Sequence, residues 1–229
     1  MYKSFSLITL LTILTVLITI TFNTKKISNY DMDKIKNSVF KLISLSEERG
    51  LHTATGFVFE KRSGKSFILT NHHFCNITDG GLFLIQNHEE YIDGSARIAE
   101  VEYSSQEVDL CIASTMSYEP ALNIKNDNLY FSERLYTIGA PDGNFPMYFE
   151  LRFSSYLDKN TIRDFFPTLR PKHKSFFVTG AVDSGQSGSP VFNSKGDVVG
   201  VVFAKTGNST GVVISAEEAL EFISGFFSY

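Results

Sequence analysis

The chain has 229 residues and a formal net charge of −4, from 21 basic and 25 acidic side chains. This balance gives no reason to expect nucleic-acid binding, and the length suits one domain with a substantial core after an apolar N-terminal segment. The two cysteines and five histidines show no metal-ligand spacing, so neither a metal site nor a cofactor is predicted.

The N-terminus is an uncharged apolar segment, residues 5–22, with lysines on both sides. As a helix it would span about 27 Å, close to the hydrocarbon core of a bilayer. No Ala-x-Ala cleavage site follows it, and the segment is long for the core of a signal peptide. We expect a membrane anchor over residues 1–24 and a linker over residues 25–36, with a cleaved signal peptide or a buried core helix as alternatives.

Short β-type segments separated by turn signals follow along the chain. They predict strands over residues 38–43, 56–59, 66–70, 81–86, 97–103, 110–113, 176–179, 190–192, 198–204 and 212–215. Residues 194–197 have the composition of a hairpin turn. Ser215 and Glu218 match a capping box that opens a short C-terminal helix, with Leu220 and Ile223 on one face.

Two of these segments carry residues suited to acid–base chemistry. An apolar strand runs into the pair His72-His73, and Asp109 stands at the head of another apolar strand. An acid whose neighbours favour burial is a poor candidate for a solvated surface charge. Neighbouring side chains of an extended segment point to opposite faces, so only one histidine of the pair faces a given partner. The remaining histidines have no motif and are predicted to be surface residues: His52, His88 and His173.

Residues 185–190, Gly-Gln-Ser-Gly-Ser-Pro, have the composition of a nucleophile loop. The glycines let the backbone fold closely around Ser187, so that the amide groups of Gly185 and Ser187 can converge where an oxyanion would form. A glycine-rich hairpin with an exposed serine is the simpler interpretation of the same residues. The order His, Asp, Ser is that of the chymotrypsin type of triad, and Ser189 excludes the Gly-x-Ser-x-Gly elbow of α/β-hydrolases.

Four motifs together resemble the trypsin/chymotrypsin-fold serine proteases, and among them the HtrA (Deg) branch. Residues 70–73, Thr-Asn-His-His, resemble its T-N-N-H segment, and residues 109–110 resemble its D-L-A pair. Residues 136–143 resemble its aiGnPxG stretch, and residues 185–190 resemble its G-N-S-G-G-P, with Ser189 in place of a glycine.

The resemblance extends over roughly residues 37–224 and implies an all-β fold. We expect two six-stranded antiparallel β-barrels, over about residues 37–120 and 130–215, with the catalytic residues in the cleft between them. Together with the C-terminal helix they would form a protease domain of residues 37–229, without a PDZ domain.

The resemblance also assigns roles. It makes His73 the general base, Asp109 the residue that orients it, and Ser187 the nucleophile. The oxyanion hole would come from Gly185 and Ser187, and His72 would be a half-exposed neighbour. Gln186 stands where trypsin-like zymogens have the aspartate that binds a new N-terminus, so activation by an inserted N-terminus is not expected. Regulation, if present, would come through loop ordering, as the HtrA branch implies.

The family register outlines a primary substrate pocket. Ala181 would lie at its base with Val182 beside it, and Gly211 on a further wall. The strand that forms the remaining wall contributes Val202, Phe203, Ala204 and Lys205. Nothing acidic lines this pocket, and Val182 and Val202 replace the polar residues that glutamyl endopeptidases use. We expect a preference for small to medium apolar side chains before the scissile bond.

The sequence thus predicts a serine endopeptidase acting on protein or peptide substrates. A catalytically silent peptide-binding pseudo-protease and a membrane-tethered adaptor are the alternatives. Resemblance to exported proteases favours a membrane-anchored enzyme with an extracytoplasmic catalytic domain, or a secreted one after signal cleavage. The lysines after the apolar segment favour the opposite orientation. The sequence leaves the oligomeric state open.

Cys75 and Cys111 lie two residues after His73 and Asp109. Alternation along a strand directs both into the core, and we expect two buried free thiols. A disulfide is the alternative, because the two segments have to approach each other if His73 and Asp109 meet.

Overall fold

The computed structural model describes residues 29–46, 50–144, 146–170, 173–207 and 209–228. The proposed membrane anchor, residues 1–24, lies outside the described residues. Within the described ranges, no helix has the length and apolar character needed to cross a membrane. Helices are α1 (Asn29–Ser38), α2 (His72–Cys75), α3 (His88–Asp93), α4 (Lys159–Phe165) and α5 (Ala216–Phe227), with 3₁₀ turns at Asp79–Gly81 and Pro141–Gly143.

Six strands close into a first antiparallel barrel in the order β1-β2-β3-β6-β5-β4. They are β1 (Val39–Ser46), β2 (Gly50–Arg62), β3 (Lys65–Thr70), β4 (Leu82–Gln86), β5 (Arg97–Ser105) and β6 (Leu110–Met116). The predicted strands of this half are all present, and most of them are longer than the sequence indicated.

A second closed antiparallel barrel has the order β10-β11-β12-β9-β8-β7. Its strands are β7 (Arg134–Gly139), β8 (Met147–Tyr156), β9 (Ser175–Gly180), β10 (Pro190–Phe192), β11 (Val198–Lys205) and β12 (Thr210–Ser215). The prediction of two six-stranded antiparallel barrels followed by a C-terminal helix is confirmed. Strands β7 and β8 were not among the predicted segments.

The continuous apolar character of β3 and β6 has a direct cause in the packing. Successive side chains of each strand alternate between two separate clusters. Phe67 and Leu69 of β3 enter a central cluster that also contains residues of the second barrel, α1 and α5, whereas Ile68 between them enters the core of the first barrel. Because both faces of each strand are buried, the central positions of both strands are apolar, and the polar residues near their ends, such as Ser66 and Thr70, are buried as well.

Helix α5 follows the second barrel, packs against its strands β11 and β12, and also packs against the first barrel. The Tyr103 ring is stacked on those of Phe222 and Phe226, with ring centroids 5.1 and 5.9 Å away. Phe67 of β3 contacts Phe226 and Phe227 at centroid distances of 5.8 and 5.6 Å. The C-terminal helix therefore joins the two barrels, with its aromatic contacts on the side of the first barrel.

The predicted capping box of α5 forms only in part. Ser215 accepts a hydrogen bond from the Glu218 amide, as expected. However, the Glu218 carboxylate is fully buried and accepts from the Lys174 amide instead of turning back to Ser215. The predicted apolar face was also wrong for Leu220, which is 38% exposed, because Ala216, Glu218, Ala219 and Phe222 face inward.

Cys75 and Cys111 form a disulfide, with a Cα–Cα distance of 6.5 Å. The prediction of two free thiols was therefore wrong. The reason lies in the strand register: Thr70 at the end of β3 pairs directly with Cys111, and the single turn of α2 brings Cys75 back over that pair. The bridge joins the two segments that carry His73 and Asp109.

Candidate active site

The ring of His73 and the carboxylate of Asp109 meet between the end of β3 and the start of β6. The His73 Nδ1 atom lies 2.8 Å from Asp109 Oδ2, and the His73 backbone N–H donates to Asp109 Oδ1 at 2.9 Å. Asp109 is 5% exposed, whereas the His73 side chain is 47% exposed. A carboxylate that accepts at Nδ1 leaves the Nε2 lone pair available to take a proton.

Asp109 adopts an uncommon backbone conformation. Its φ is +49°, in the left-handed region that non-glycine residues seldom occupy. Its N–H donates to the Gln106 carbonyl at 3.3 Å, and its own carbonyl accepts from Asn71 Nδ2 at 3.0 Å. Such a conformation persists where the surrounding contacts over-determine it. The turn before β6 thus holds the carboxylate against His73.

His72 lies on the opposite side of α2. Its Nδ1 atom is 2.6 Å from the Ser104 hydroxyl of β5, and the residue is half-buried. This contact ties α2 to the neighbouring strand and turns the His72 ring away from Asp109.

Ser187 lies in the loop before β10 and is half-buried. Its hydroxyl is 3.5 Å from the Phe203 carbonyl, and the Phe203 ring centroid is 6.4 Å from that of His73. Ser187 and His73 therefore both lie beside Phe203. Among the described residues, no hydrogen bond joins Ser187 Oγ to the His73 ring; in free enzymes such contacts are often long and tighten only with substrate.

The backbone of the nucleophile loop orients one amide of the proposed oxyanion hole. The Ser184 carbonyl accepts a hydrogen bond from the Asp142 amide at 2.6 Å. Since C=O and N–H of a trans peptide point in opposite directions, the Gly185 N–H is directed away from Asp142. Neither Gly185 nor Ser187 uses its N–H for a hydrogen bond within the described part of the chain.

Gly185 cannot be replaced without distortion. Its φ is +85°, and a Cβ atom there would lie 2.2 Å from the Ala140 carbonyl oxygen. The glycine at this position is thus required by both conformation and space.

Thr55 of β2 holds the loop from the first barrel and was missed by sequence reasoning. Its N–H donates to the Ser187 carbonyl at 2.8 Å, and its Oγ1 donates to the Gly185 carbonyl at 2.8 Å. Oγ1 also accepts from the Ala140 amide at 3.0 Å. The signal in the sequence was a weak one, a threonine directly before the predicted strand of residues 56–59.

Gln186 is fully buried and stabilises the loop from within. Its Oε1 accepts from the Asp183 amide at 3.0 Å. The neutral Gln186 side chain thus makes a hydrogen bond within the loop rather than an ion pair.

The proposed pocket residues lie around β11 and β12. Val182 and Val202 are almost fully buried in the core of the second barrel, and a Cβ atom on Gly211 would lie 2.6 Å from Val182 Cγ2. Ala181 is exposed, and Lys205 forms an exposed ion pair with Asp183. Phe203 and Ala204 are half-buried. Within the described ranges, no three potential metal ligands come together.

A family model described as a trypsin-like peptidase domain matches residues 54–201. The chain belongs to this trypsin-like peptidase family. It is accordingly a serine-type endopeptidase, a hydrolase, as the sequence predicted. No match is found among curated proteins.

Solved structures share the fold of this trypsin-like peptidase. The active form of the Rv3671c protease from M. tuberculosis is 20% identical with a TM-score of 0.69, over 86% of this chain and 83% of that one. The HtrA-type protease AlgW with a tripeptide is 19% identical with a TM-score of 0.69, over 85% of this chain and 61% of that one. The serine endoprotease from Yersinia pestis is 16% identical with a TM-score of 0.66, over 86% and 65%.

Proposed function

We propose that this peptidase cleaves peptide bonds with Ser187 as nucleophile, His73 as general base and Asp109 as the group that orients the base. The observation that carries the assignment is the Asp109 carboxylate, which binds both the backbone N–H and the Nδ1 atom of His73. This arrangement fixes the tautomer in which Nε2 is unprotonated. Nε2 then accepts the hydroxyl proton as Ser187 Oγ attacks the substrate carbonyl, and later donates it to the leaving amine.

The amides of Gly185 and Ser187 are proposed to bind the oxyanion of the tetrahedral intermediate. Their N–H groups make no other hydrogen bond within the described part of the chain. Donors that are already oriented stabilise the developing charge without reorganisation. The Thr55 and Asp142 contacts described above supply that orientation.

Substrate is proposed to lie along β11. The Ser187 hydroxyl approaches the Phe203 carbonyl, so the segment after Val202 runs beside the nucleophile. An extended peptide can add to such an edge through main-chain hydrogen bonds. This placement puts the residue before the scissile bond near Ala181 and Gly211.

The primary pocket is proposed to accept small to medium apolar side chains. Val182 packs directly against Gly211 and occupies the space that a deep pocket would need. No acidic side chain belongs to the proposed pocket, which disfavours lysine and arginine at that position.

A peptide library digested by the wild-type enzyme and by Ser187→Ala tests this proposal. We expect cleavage by the wild type after small or medium apolar residues, and none by the variant. A profile dominated by Arg, Lys or Glu would refute the pocket assignment. A folded wild type that cleaves nothing would favour the pseudo-protease or adaptor alternatives.

A further inference from the structure

His173 was predicted to be a surface residue, but it is 3% exposed and lies between the two barrels. Its Nε2 atom is 3.1 Å from the Val108 carbonyl, and its Nδ1 atom is 2.8 Å from the Ser175 hydroxyl. A carbonyl can only accept, so Nε2 carries a proton; in the neutral ring Nδ1 then accepts from the Ser175 hydroxyl. Both ring nitrogens therefore have a defined partner and a defined role.

The carbonyl that His173 binds belongs to the residue immediately before Asp109. The Val108 C=O and the Asp109 N–H share one peptide plane, so fixing the former fixes the latter. The Arg170 amide also donates to the Glu107 carbonyl at 2.8 Å. The segment before β9 thus holds two successive carbonyls of the turn that carries Asp109.

The same segment is anchored on its other side to α5. The Lys174 amide donates to Glu218 Oε2 at 2.9 Å, and an Arg170 guanidinium nitrogen lies 2.5 Å from Glu218 Oε1. A fully buried carboxylate is costly unless it is partnered, so this contact strongly constrains the segment that supplies its partners. His173 therefore projects from a fixed base.

The environment keeps the ring neutral. Burial lowers the pKa of His173 below its ordinary value of 6.5. Glu218 and Asp109 act in the opposite direction, and Arg170 reinforces the lowering. Neutral imidazole can donate from Nε2 to the Val108 carbonyl while Nδ1 accepts from the Ser175 hydroxyl, which fits both contacts.

We propose that His173 is a positioning residue for Asp109, holding the turn before β6 from the second barrel so that the carboxylate stays aligned with His73. This inference rests on the proposed function, in which Asp109 orients the general base. Asn71 and the His73 amide hold Asp109 from the first barrel, and His173 completes the set from the other side. Loss of that contact would misalign the base and slow the chemical step without removing any group that touches substrate.

Three variants test the proposal. His173→Leu removes both hydrogen bonds, whereas His173→Gln keeps an amide donor near the position of Nε2. Lys174→Ala is the matched control, since its exposed side chain forms an ion pair with Glu217 at the surface. We expect His173→Leu to lower kcat about 100-fold with KM nearly unchanged, because a small misplacement of a catalytic group has that effect. His173→Gln should recover most of kcat, and Lys174→Ala should match the wild type.

Equal losses in His173→Leu and His173→Gln, or an unchanged kcat in His173→Leu, would overturn the proposal. If His173→Leu does not fold, Ser175→Ala decides: a several-fold loss of kcat at constant KM supports it, and an unchanged kcat overturns it.

A nuclear magnetic resonance readout separates this inference from the proposed function. The proton in the His73 Nδ1–Asp109 hydrogen bond should shift or broaden in His173→Leu and not in His173→Gln. An unchanged signal in His173→Leu overturns the positioning role. A wild type that cleaves no peptide would contradict the proposed function but not the positioning role, which the resonance tests without catalysis.

Discussion

At the scale of single residues, the site depends on backbone groups held in unusual orientations. Asp109 and Asp142 both have positive φ values, +49° and +51°, although neither is a glycine. Asp109 presents its carboxylate to His73, and the Asp142 amide turns the Ser184–Gly185 peptide. Two further non-glycine residues with positive φ, Ser63 and Ser132, lie in turns elsewhere, but Asp109 and Asp142 lie next to the proposed catalytic groups, where the surrounding structure can enforce such a conformation.

Gly185→Ala should abolish most activity because the added Cβ would lie 2.2 Å from the Ala140 carbonyl and displace an oxyanion donor. We expect kcat to fall by about 100-fold to 1000-fold, measured on the best library peptide. Gly196→Ala is the control: its φ of +83° imposes the same backbone strain, but nothing lies within 4 Å of the added atom. Similar kcat losses in both variants would show that backbone strain alone, and not the oxyanion hole, explains the effect.

At the scale of elements, α5 holds the two barrels together. Phe222 packs in the central cluster and stacks on Tyr103, whereas Leu220 on the same helix is 38% exposed. Phe222→Ala should lower the free energy of unfolding by about 3–5 kcal/mol, as large-to-small changes in a core do. Denaturant titration measures this, with Leu220→Ala as the control at under about 1 kcal/mol. Comparable losses of unfolding free energy in Phe222→Ala and Leu220→Ala would mean that α5 does not hold the barrels together.

An element could be predicted where its signal lies within a short stretch of the sequence. Strands β3 and β6 were recognisable because burial on both faces gives uninterrupted apolar runs. Strand β8 was not, since Glu150 and Arg152 on its outer face alternate with Leu151 and Phe153 and dilute the apolar signal. The burial of His173 and the Thr55 contacts depend on partners 65 and 130 residues away in sequence, which no local pattern records.

The short sequence motifs were predictable to different degrees. The Asp109 and His73 segments pair in the structure because each directly adjoins a predictable strand. The disulfide was open from the sequence, because whether Cys75 reaches Cys111 depends on the single turn of α2 after β3.

At the scale of the whole molecule, stability should depend on pH through His173. Its pKa is lowered in the folded protein by burial, so the unfolded chain binds a proton that the folded protein excludes. The free energy of unfolding should therefore fall as the pH drops below about 6.5, the ordinary value for histidine. Asp109, Glu218 and Arg170 face the ring and set the size of the effect.

Denaturant midpoints measured from pH 8 to pH 5 check this. His173→Gln does not titrate and should show a flatter profile over that range. Carboxylates with lowered pKa values, such as Glu102, which accepts a hydrogen bond from Ser114, lose their contribution to the free energy of unfolding only at lower pH. Identical slopes in the wild type and His173→Gln would contradict a buried neutral His173.

Labelling by a fluorophosphonate, followed by intact mass, tests the central claim most directly, because the probe reacts only with a serine that a base activates. The account predicts one added probe on the wild type and on Ser194→Ala, an exposed-serine control. It predicts none on Ser187→Ala and strongly slowed labelling of His73→Ala. Labelling that persists in Ser187→Ala, or is absent from folded wild type, would contradict the account.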